Sequence, residues 1–340
     1  MTRLTIVSLN TAHRDDVFAP VRAIDGVELV HAAYRVSWEE ISARRAGGPL
    51  PDPEPLPSEL AAVLAGADVV FGFVIPRRIL TLAPRLRWIA TPATGVDHLR
   101  GTGVLESAIP VTTVGGLFGP VIAEHVFAMM LAFAKRLAHF GAQQRAKAWQ
   151  MSRVTALEGR TIGLVGVGAI GSAVALRAKA FGMRTIGLGR GDPRGRTIPG
   201  VDQLVRREQL PDLLAAADWL VVAAADTPET RGMIGAQELA VMKPDAVLVN
   251  VARGSLVDED ALARTLQDGR IAGAALDVFA TEPLSPESPL WELPNVLVTP
   301  HVATNVPEYL ARAVAAFASN VRRFLAGEPL EQQLRRERGY

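Results

Sequence analysis

Three glycines between residues 166 and 171 have a spacing that indicates a ligand-binding turn. Gly166-Val-Gly-Ala-Ile-Gly171 follows an apolar run, Thr161–Val165, and precedes a helix-like segment, Ile170–Phe181. In a strand–turn–helix context the first glycine makes a tight turn, the second lets a pyrophosphate approach the backbone, and the third packs helix against strand. The amides that open the helix then face the phosphates. The pattern predicts that a dinucleotide is bound by Gly166, Gly168, Ala169, Ile170 and Gly171.

The type of dinucleotide is indicated by residues about 20 positions further on, where an NAD site places an Asp or Glu on the ribose. This sequence has Gly187-Leu-Gly-Arg-Gly191 there, so Gly189 and Arg190 replace the carboxylate. The glycine leaves room for a 2′-phosphate, and a guanidinium matches phosphate geometry. Arg194 and Arg196 follow, with Asp192 as a partial counter-argument. NADP(H) is therefore favoured, with NAD(H) as the alternative.

Three later apolar runs each end beside one ionisable side chain: Arg253, Glu282 and His301. Open α/β sheets bind ligands at the carboxyl ends of their strands, so these side chains are expected at one edge. Taken singly, each has an ordinary explanation, as a helix-end cation, a surface carboxylate and a structural histidine. Their joint occurrence at corresponding strand ends favours a shared site.

The elements that must position these residues alternate along the chain. Before residue 100, short apolar runs alternate with helical segments, which predicts a small α/β unit. From Arg160 onward, runs of Val, Ile, Leu and Ala without polar alternation suit a parallel sheet covered on both faces. The intervening segment 121–137 is apolar on most faces, and we expect it to be buried between domains or subunits. Prolines at every second position from Pro49 to Pro57 predict an extended loop, either an insertion or a lid or partner-binding segment.

Composition excludes several classes of function. The 340 residues correspond to about two domains. With 36 Lys+Arg against 35 Asp+Glu, the net charge of +1 offers no basic field for nucleic acid or a membrane surface. The absence of cysteine excludes thiol nucleophiles and disulfides. The remaining histidines lack the spacing of metal ligands, and we assign one of them, His125, to packing in the helix layer. No uncharged stretch reaches the roughly 20 residues of a membrane span, so we expect a cytoplasmic protein without a metal.

These motifs resemble those of the D-isomer-specific 2-hydroxyacid dehydrogenase family over residues 83–326. The resemblance implies a two-domain α/β fold, with a Rossmann-type doubly wound parallel sheet (119–301) inserted into a smaller flavodoxin-like α/β substrate domain (1–118 plus 302–340). Glyoxylate and hydroxypyruvate reductases are the most similar members. The residues that carry the resemblance are Gly95-Val-Asp97, Ala123-Glu-His125, Gly166–Gly171, Thr227-Pro-Glu-Thr-Arg231, Asn250–Gly254, Gly273–Pro283 and Pro300-His301.

The resemblance implies that Arg253, Glu282 and His301 form the catalytic set, and their chemistry fits. A guanidinium holds the carboxylate of a 2-keto acid while polarising its carbonyl group, which is the role of Arg253. His301 supplies the proton as hydride arrives at the carbonyl carbon. A carboxylate on the other ring nitrogen fixes the tautomer, so Glu282 is expected to raise the pKa of His301.

Further contacts follow from the same resemblance. Backbone at Thr94, Gly95 and Val96 is implied to bind the substrate carboxylate, and Asp277 to reach the nicotinamide carboxamide. The sequence departs from many relatives in two places, with Ala223-Ala-Ala225 replacing a His-x-Pro turn and Gly119-Pro120 replacing a Thr that contacts cofactor. The remaining cofactor contacts are expected at Ala225, Thr227 and Val251.

The implied function is NAD(P)H-dependent reduction of a small 2-keto acid, of the glyoxylate or hydroxypyruvate type, to the D-2-hydroxy acid by a homodimer. Arg77 and Arg78 are candidates for binding a second anionic group on the substrate. The rival interpretation is a dinucleotide-sensing binding protein, like the corepressors that share this fold, with little turnover. Activity with a panel of keto acids separates the two.

Overall fold

The computed structural model describes residues 3–10, 16–53, 55–191 and 194–336. Its contacts divide the chain into two compact units. Unit 1 contains the described residues up to Leu117 together with those from Asn305 onward, and unit 2 is Phe118–Thr304. Within the described residues, no helix combines the length and the apolar character that crossing a bilayer requires.

Unit 1 is built on a five-stranded sheet whose strand pairs are all parallel. Its strands are β1 (Leu4–Ser8), β2 (Val27–His31), β3 (Val69–Phe71), β4 (Trp88–Ala90) and β5 (Val111–Thr112). The order β2-β1-β3-β4-β5 is the flavodoxin-like arrangement. Ile6 at the centre of β1 is fully buried, between Leu29 and Val69 on the two neighbouring strands.

Among the described residues of unit 1, four α-helices precede the last strand: α1 (Ala19–Arg22), α2 (Trp38–Ala46), α3 (Ser58–Ala65) and α4 (Ile79–Leu82). Helix α2, absent from the sequence prediction, begins where the Ser37 hydroxyl accepts a hydrogen bond from the Glu40 amide at 3.2 Å. It ends at Gly47, whose φ of 75° suits a glycine. The described part of the proline-rich segment between α2 and α3 forms neither helix nor strand, as expected.

Unit 2 contains a seven-stranded, wholly parallel sheet. Its strands are β6 (Thr161–Val165), β7 (Arg184–Leu188), β8 (Gln203–Val205), β9 (Trp219–Val222), β10 (Val247–Asn250), β11 (Gly273–Leu276) and β12 (Val296–Val298). The order β12-β11-β10-β9-β6-β7-β8 runs outward from β6 in both directions. This confirms the predicted doubly wound Rossmann-type sheet, and ligands bind such sheets where the order reverses, beside β6.

Helices cover the second sheet, and one more completes unit 1. The helices of unit 2 are α5 (Gly119–Ala134), α6 (Leu137–Arg145), α7 (Ala169–Ala180), α8 (Leu210–Ala216), α9 (Ala236–Ala240) and α10 (Glu259–Gln267). The apolar character of α5 is explained inside unit 2, where it packs against α7 and the Phe127 and Phe181 rings stack at 4.9 Å. Helix α11 (Tyr309–Ala326) returns to unit 1, where Phe317 stacks on Phe71 at 4.6 Å.

Candidate active site

The glycine turn between β6 and α7 has the geometry that phosphate binding requires. Gly166 has a φ of 101°, and a Cβ there would lie 2.7 Å from the Ala224 Cα. A Cβ on Gly171 would lie 2.0 Å from the Gly166 carbonyl oxygen, whereas Gly168 has open space around it. No side chain caps the N-terminus of α7, which leaves its first amides for an anion. The turn therefore fits a dinucleotide pyrophosphate.

The end of β7 presents arginine at the position that distinguishes the two dinucleotides. Gly189 follows β7, and a Cβ there would lie 3.8 Å from Nη1 of Arg196. The same guanidinium donates a hydrogen bond to the Arg190 carbonyl oxygen, so it is held across this turn. Asp192, which weighs against NADP in the sequence, lies outside the described residues.

The other predicted cofactor contacts follow β9 and β10, beside the glycine turn. The Thr230 hydroxyl donates to the Ala225 carbonyl oxygen at 2.6 Å and accepts from the Thr227 amide at 2.9 Å, which closes this alanine-containing turn. The Val251 amide donates to the Val222 carbonyl oxygen at 3.3 Å. Ala225, Thr227 and Val251 therefore lie at the same sheet edge as Gly166, and their contacts with a cofactor remain a prediction.

Arg253 is positioned by the last residue of β10. Asn250 donates from Nδ2 to the Arg253 carbonyl oxygen at 3.0 Å and accepts at Oδ1 from the Ala252 amide at 3.1 Å. This side chain bridges its own turn and holds Arg253 in extended backbone. The guanidinium is half-buried, with Nη1 at 2.7 Å from the Ala252 carbonyl oxygen.

The residue after Arg253 brings two of the predicted segments together. A Cβ on Gly254 would lie 1.9 Å from the Phe279 carbonyl carbon, so only glycine permits this approach of two backbones. The Ala280 amide donates to Oε2 of Glu259 at 2.9 Å, which ties the same segment to α10. Burial raises the pKa of Glu259. The turn that carries Arg253 is therefore packed against the segment that leads to Glu282.

His301 and Glu282 form a hydrogen-bonded pair. Nδ1 of His301 lies 2.8 Å from Oε2 of Glu282, and the two side chains are 30% and 15% exposed. The other carboxylate oxygen accepts a hydrogen bond from the Phe279 amide at 3.2 Å. Because an ionised carboxylate only accepts, Nδ1 carries the proton of this bond. The Nε2 nitrogen is then the one available for proton transfer.

The backbone at His301 adopts a conformation that is rare for residues other than glycine, with a φ of 52°. Its amide donates to the Asp277 carbonyl oxygen at 2.9 Å. The Asp277 carboxylate, only 1% exposed, accepts from the Thr299 hydroxyl at 2.6 Å and from the Val302 and Ala303 amides at 2.9 and 3.0 Å. Asp277 therefore holds the turn that carries His301, while its predicted contact with the nicotinamide carboxamide remains a prediction.

His125 takes part in the same network, so its assignment to packing in the helix layer was wrong. Its Nε2 lies 3.1 Å from the Thr299 hydroxyl and 3.5 Å from Oδ1 of Asp277. Since the Thr299 proton is donated to Asp277, the hydroxyl oxygen accepts from His125. The two residues are 174 positions apart in sequence, and no spacing rule connects them.

The segment predicted to bind the substrate carboxylate lies in unit 1, after β4. Thr94 is exposed, Gly95 is partly exposed and Val96 is buried. Within the part of the chain that the structure describes, the amides of these three residues donate no hydrogen bond to another protein group. Consecutive free amides form a site suited to an anion.

The predicted site residues thus fall into two groups. Unit 2 holds the glycine turn, the ribose-end arginines and the catalytic set, and unit 1 holds residues 94–96. Across the described residues, no group of three His, Asp or Glu side chains is arranged to hold a metal ion.

Comparison with known proteins identifies the family. Residues 127–303 match the family model described as D-isomer specific 2-hydroxyacid dehydrogenase, NAD binding domain. The chain belongs to the D-isomer-specific 2-hydroxyacid dehydrogenase family. It is similar to the glyoxylate reductase of Thermococcus litoralis, with 32% identity over 316 residues that cover 89% of this chain and 91% of the relative.

Other members of the family differ in length and in the substrate for which they are named. The D-3-phosphoglycerate dehydrogenase of Mycobacterium leprae is 37% identical over 281 residues, which cover 80% of this chain and 52% of the relative. This chain therefore spans about half the length of that curated relative. A D-isomer specific 2-hydroxyacid dehydrogenase from Xanthobacter autotrophicus Py2, solved in complex with NADPH and MES, has a TM-score of 0.80 and 30% identity, with complete coverage of both chains.

Proposed function

We propose that this chain catalyses the NAD(P)H-dependent reduction of a small 2-keto acid, of the glyoxylate or hydroxypyruvate type, to the D-2-hydroxy acid. The observation that carries the proposal is the 2.8 Å hydrogen bond between His301 and Glu282, at the sheet edge that also carries Arg253 and the glycine turn. An acid, an orienting carboxylate, a guanidinium and a phosphate-binding turn are the groups that hydride transfer to a keto acid needs.

The residues act in a defined order. The glycine turn would hold a nicotinamide dinucleotide, which would supply the hydride for the carbonyl carbon. Arg253 holds the substrate through directional hydrogen bonds and polarises the carbonyl group. As negative charge develops on the carbonyl oxygen, the His301 imidazolium transfers its Nε2 proton to that oxygen, and the product is an alcohol. Glu282 keeps Nδ1 protonated and stabilises the imidazolium before the transfer.

We assign binding of the substrate carboxylate to the amides of Thr94, Gly95 and Val96 in unit 1. Their lack of acceptors within the described protein supports this assignment. Consecutive backbone amides bind a carboxylate through N–H donors without introducing a charged side chain.

We further propose a preference for NADPH over NADH. Gly189 leaves space at the end of β7, and the Arg196 guanidinium lies next to it, held on the Arg190 carbonyl oxygen. The presence of NADPH in the structure of the Xanthobacter relative supports the same choice. The ratio of kcat/KM for the two dinucleotides at saturating keto acid tests it, and a higher value with NADH would contradict it.

Homodimer formation is a separate proposal. Trp149 and Met151 are 98% and 96% exposed, and their segment is tied to α6 by a 3.1 Å hydrogen bond between His139 and Ser152. Large exposed apolar side chains that lie together indicate an interaction surface. We place the subunit contact there rather than on α5, whose apolar side chains pack within unit 2. Sedimentation tests this placement of the subunit contact. We expect the wild type to be a dimer and Trp149→Ser to dissociate more readily. A monomeric wild type contradicts the proposal.

The activity itself is tested with glyoxylate, hydroxypyruvate, pyruvate and phenylpyruvate, each with NADPH and NADH. We expect kcat above roughly 1 s⁻¹ for at least one small keto acid. His301→Ala should retain NADPH binding and lose nearly all turnover. A wild type that binds NADPH tightly but reduces none of the panel would favour the dinucleotide-sensing alternative.

A further inference from the structure

Helix α2 of unit 1 carries two charged side chains that are almost completely buried. Glu40 is 3% exposed and Arg44 is 1% exposed. Arg44 donates from Nε and Nη2 to Oε1 of Glu40 at 3.0 and 2.5 Å. Burying a charged pair costs free energy unless both partners are fully hydrogen-bonded. The groups that accept from the remaining N–H donors of Arg44 therefore indicate the role of the pair.

The third nitrogen of Arg44 connects two loops. Its Nη1 donates to the Ile75 carbonyl oxygen at 3.0 Å and to the His98 carbonyl oxygen at 3.3 Å. Ile75 lies in the loop after β3, whereas His98 lies in the short 3-10 helix Asp97–Leu99 that directly follows Val96. One guanidinium thus joins the loop after β3 to the segment that carries the proposed carboxylate site.

Contacts between aromatic rings also join the same two loops. Phe73, in the loop after β3, stacks on His98 with ring centroids 4.4 Å apart and an interplanar angle of 9°. His98 also hydrogen-bonds the Thr91 hydroxyl at 3.1 Å. These contacts fix the side chains, whereas Arg44 binds the backbone carbonyl groups of both loops.

The neighbourhood keeps Glu40 ionised and therefore able to orient Arg44. Arg77 donates from Nε to Oε1 of Glu40 at 2.8 Å, so two guanidinium groups share one carboxylate. Burial raises the pKa of Glu40, but the hydrogen bonds from Arg77 and Arg44 lower it further than burial raises it. Arg77 thus pairs with Glu40 through Nε, and its proposed contact with a second anionic group remains a prediction.

We propose that Arg44 is a positioning residue for substrate binding: by joining the backbones of the two loops, it sets where the amides of residues 94–96 lie. Its side chain is only 1% exposed, so we assign it no direct contact with substrate or cofactor. The inference rests on the proposed function, because it assumes that those amides receive the carboxylate of a 2-keto acid. A lysine cannot replace the planar fork, since one ammonium group cannot reach Glu40 and both carbonyl groups in the same geometry.

The test compares Arg44→Met and Arg44→Lys with Arg85→Met. Arg85, whose side chain is 52% exposed, is the control for losing an arginine that pairs with a largely buried carboxylate of unit 1, because it lies 3.1 Å from Asp68. Each variant is measured for kcat and for KM of the best keto acid, for NADPH affinity by fluorescence, and for the affinity of its NADPH complex for oxamate, an unreactive analogue of a 2-keto acid. These readouts separate substrate positioning from general stability.

We expect Arg44→Met to raise the KM of the keto acid and the dissociation constant of oxamate by about 10-fold to 100-fold, the upper figure being the effect of misplacing a group by about 1 Å. NADPH affinity should not change, because the glycine turn belongs to unit 2. Arg44→Lys should recover part of the loss, and Arg85→Met should match the wild type. If Arg44→Met does not fold, Arg44→Lys and Glu40→Gln carry the comparison.

Two results overturn the inference while leaving the proposed function intact. In the first, the wild type reduces keto acids but the Arg44 variants keep its KM and oxamate affinity. In the second, Arg85→Met shows the same losses as Arg44→Met. A wild type that neither reduces a keto acid nor binds oxamate overturns the proposed function and this inference together.

Discussion

Replacing Gly254 by alanine is the most direct way to disturb the site without removing any of its functional groups. The new Cβ would lie 1.9 Å from the Phe279 carbonyl carbon and 2.1 Å from its oxygen, whereas ordinary contact begins at 3.4 Å. The two backbones must therefore separate by about 1.5 Å, because neither contact involves a flexible side chain. That movement shifts Arg253 relative to Glu282, which lies three residues beyond Phe279.

A displacement of about 1 Å at a catalytic group lowers the rate about 100-fold, so we expect a loss of at least that order in kcat/KM for Gly254→Ala. Overpacking should also lower the free energy of unfolding by about 1–3 kcal/mol. Gly141→Ala on α6 is the control, since the nearest group to its new Cβ is the end of the Arg145 side chain at 3.8 Å. Steady-state kinetics and urea unfolding of both variants provide the measurement. A Gly254→Ala enzyme with wild-type kcat/KM would refute the reasoning that this contact sets the site geometry.

Three further predictions concern buried or paired carboxylates. Glu282→Gln removes the carboxylate that lies 2.8 Å from Nδ1 of His301 and orients the ring, so kcat should fall while NADPH affinity is kept; a wild-type kcat contradicts this. Asp277→Asn loses at least one of three hydrogen bonds, each worth about 1.5–3 kcal/mol. The variant should therefore unfold at a lower urea concentration and have a lower kcat than the wild type. Wild-type values of both quantities contradict this. The pKa of Glu40 in the folded protein is below its ordinary 4.5. Its contribution to the free energy of unfolding is therefore complete above pH 4.5 and is lost as pH falls through the lower, folded-state pKa. In Glu40→Gln the free energy of unfolding should fall less steeply with acid, and an unchanged pH dependence contradicts this.

Most of the fold was predictable because its strands are buried on both faces. Strands such as β6 and β10 consist almost entirely of aliphatic residues, so they read as continuous apolar runs. Strand β5 has only two residues and β8 begins with an exposed Gln203, so neither gives such a run and neither was predicted. Helix α2 was not predicted either, because the residues that it buries include Glu40 and Arg44 and give no apolar stripe.

The site residues that could be predicted from the sequence are those that follow strand ends and those in the glycine pattern. Arg253, Glu282 and His301 follow adjacent parallel strands, and topology alone brings such residues to one edge. His125 was missed because its partner, Thr299, belongs to a strand end far away in sequence. The role of Gly254 was also missed, since only the folded backbone shows what lies against it.

Buried charge has the same physical cause in both units. Asp277 is buried because it accepts from the backbone amides of Val302 and Ala303, and Arg44 is buried because it donates to backbone carbonyl groups. Backbone partners carry no side-chain signal, so hydropathy places such residues on the surface. A charge that is satisfied by loop backbone stabilises one loop conformation against the others. In unit 2 that loop carries His301, and in unit 1 it follows the amides proposed to bind the substrate, so each buried charge supports a functional segment without taking part in the chemistry.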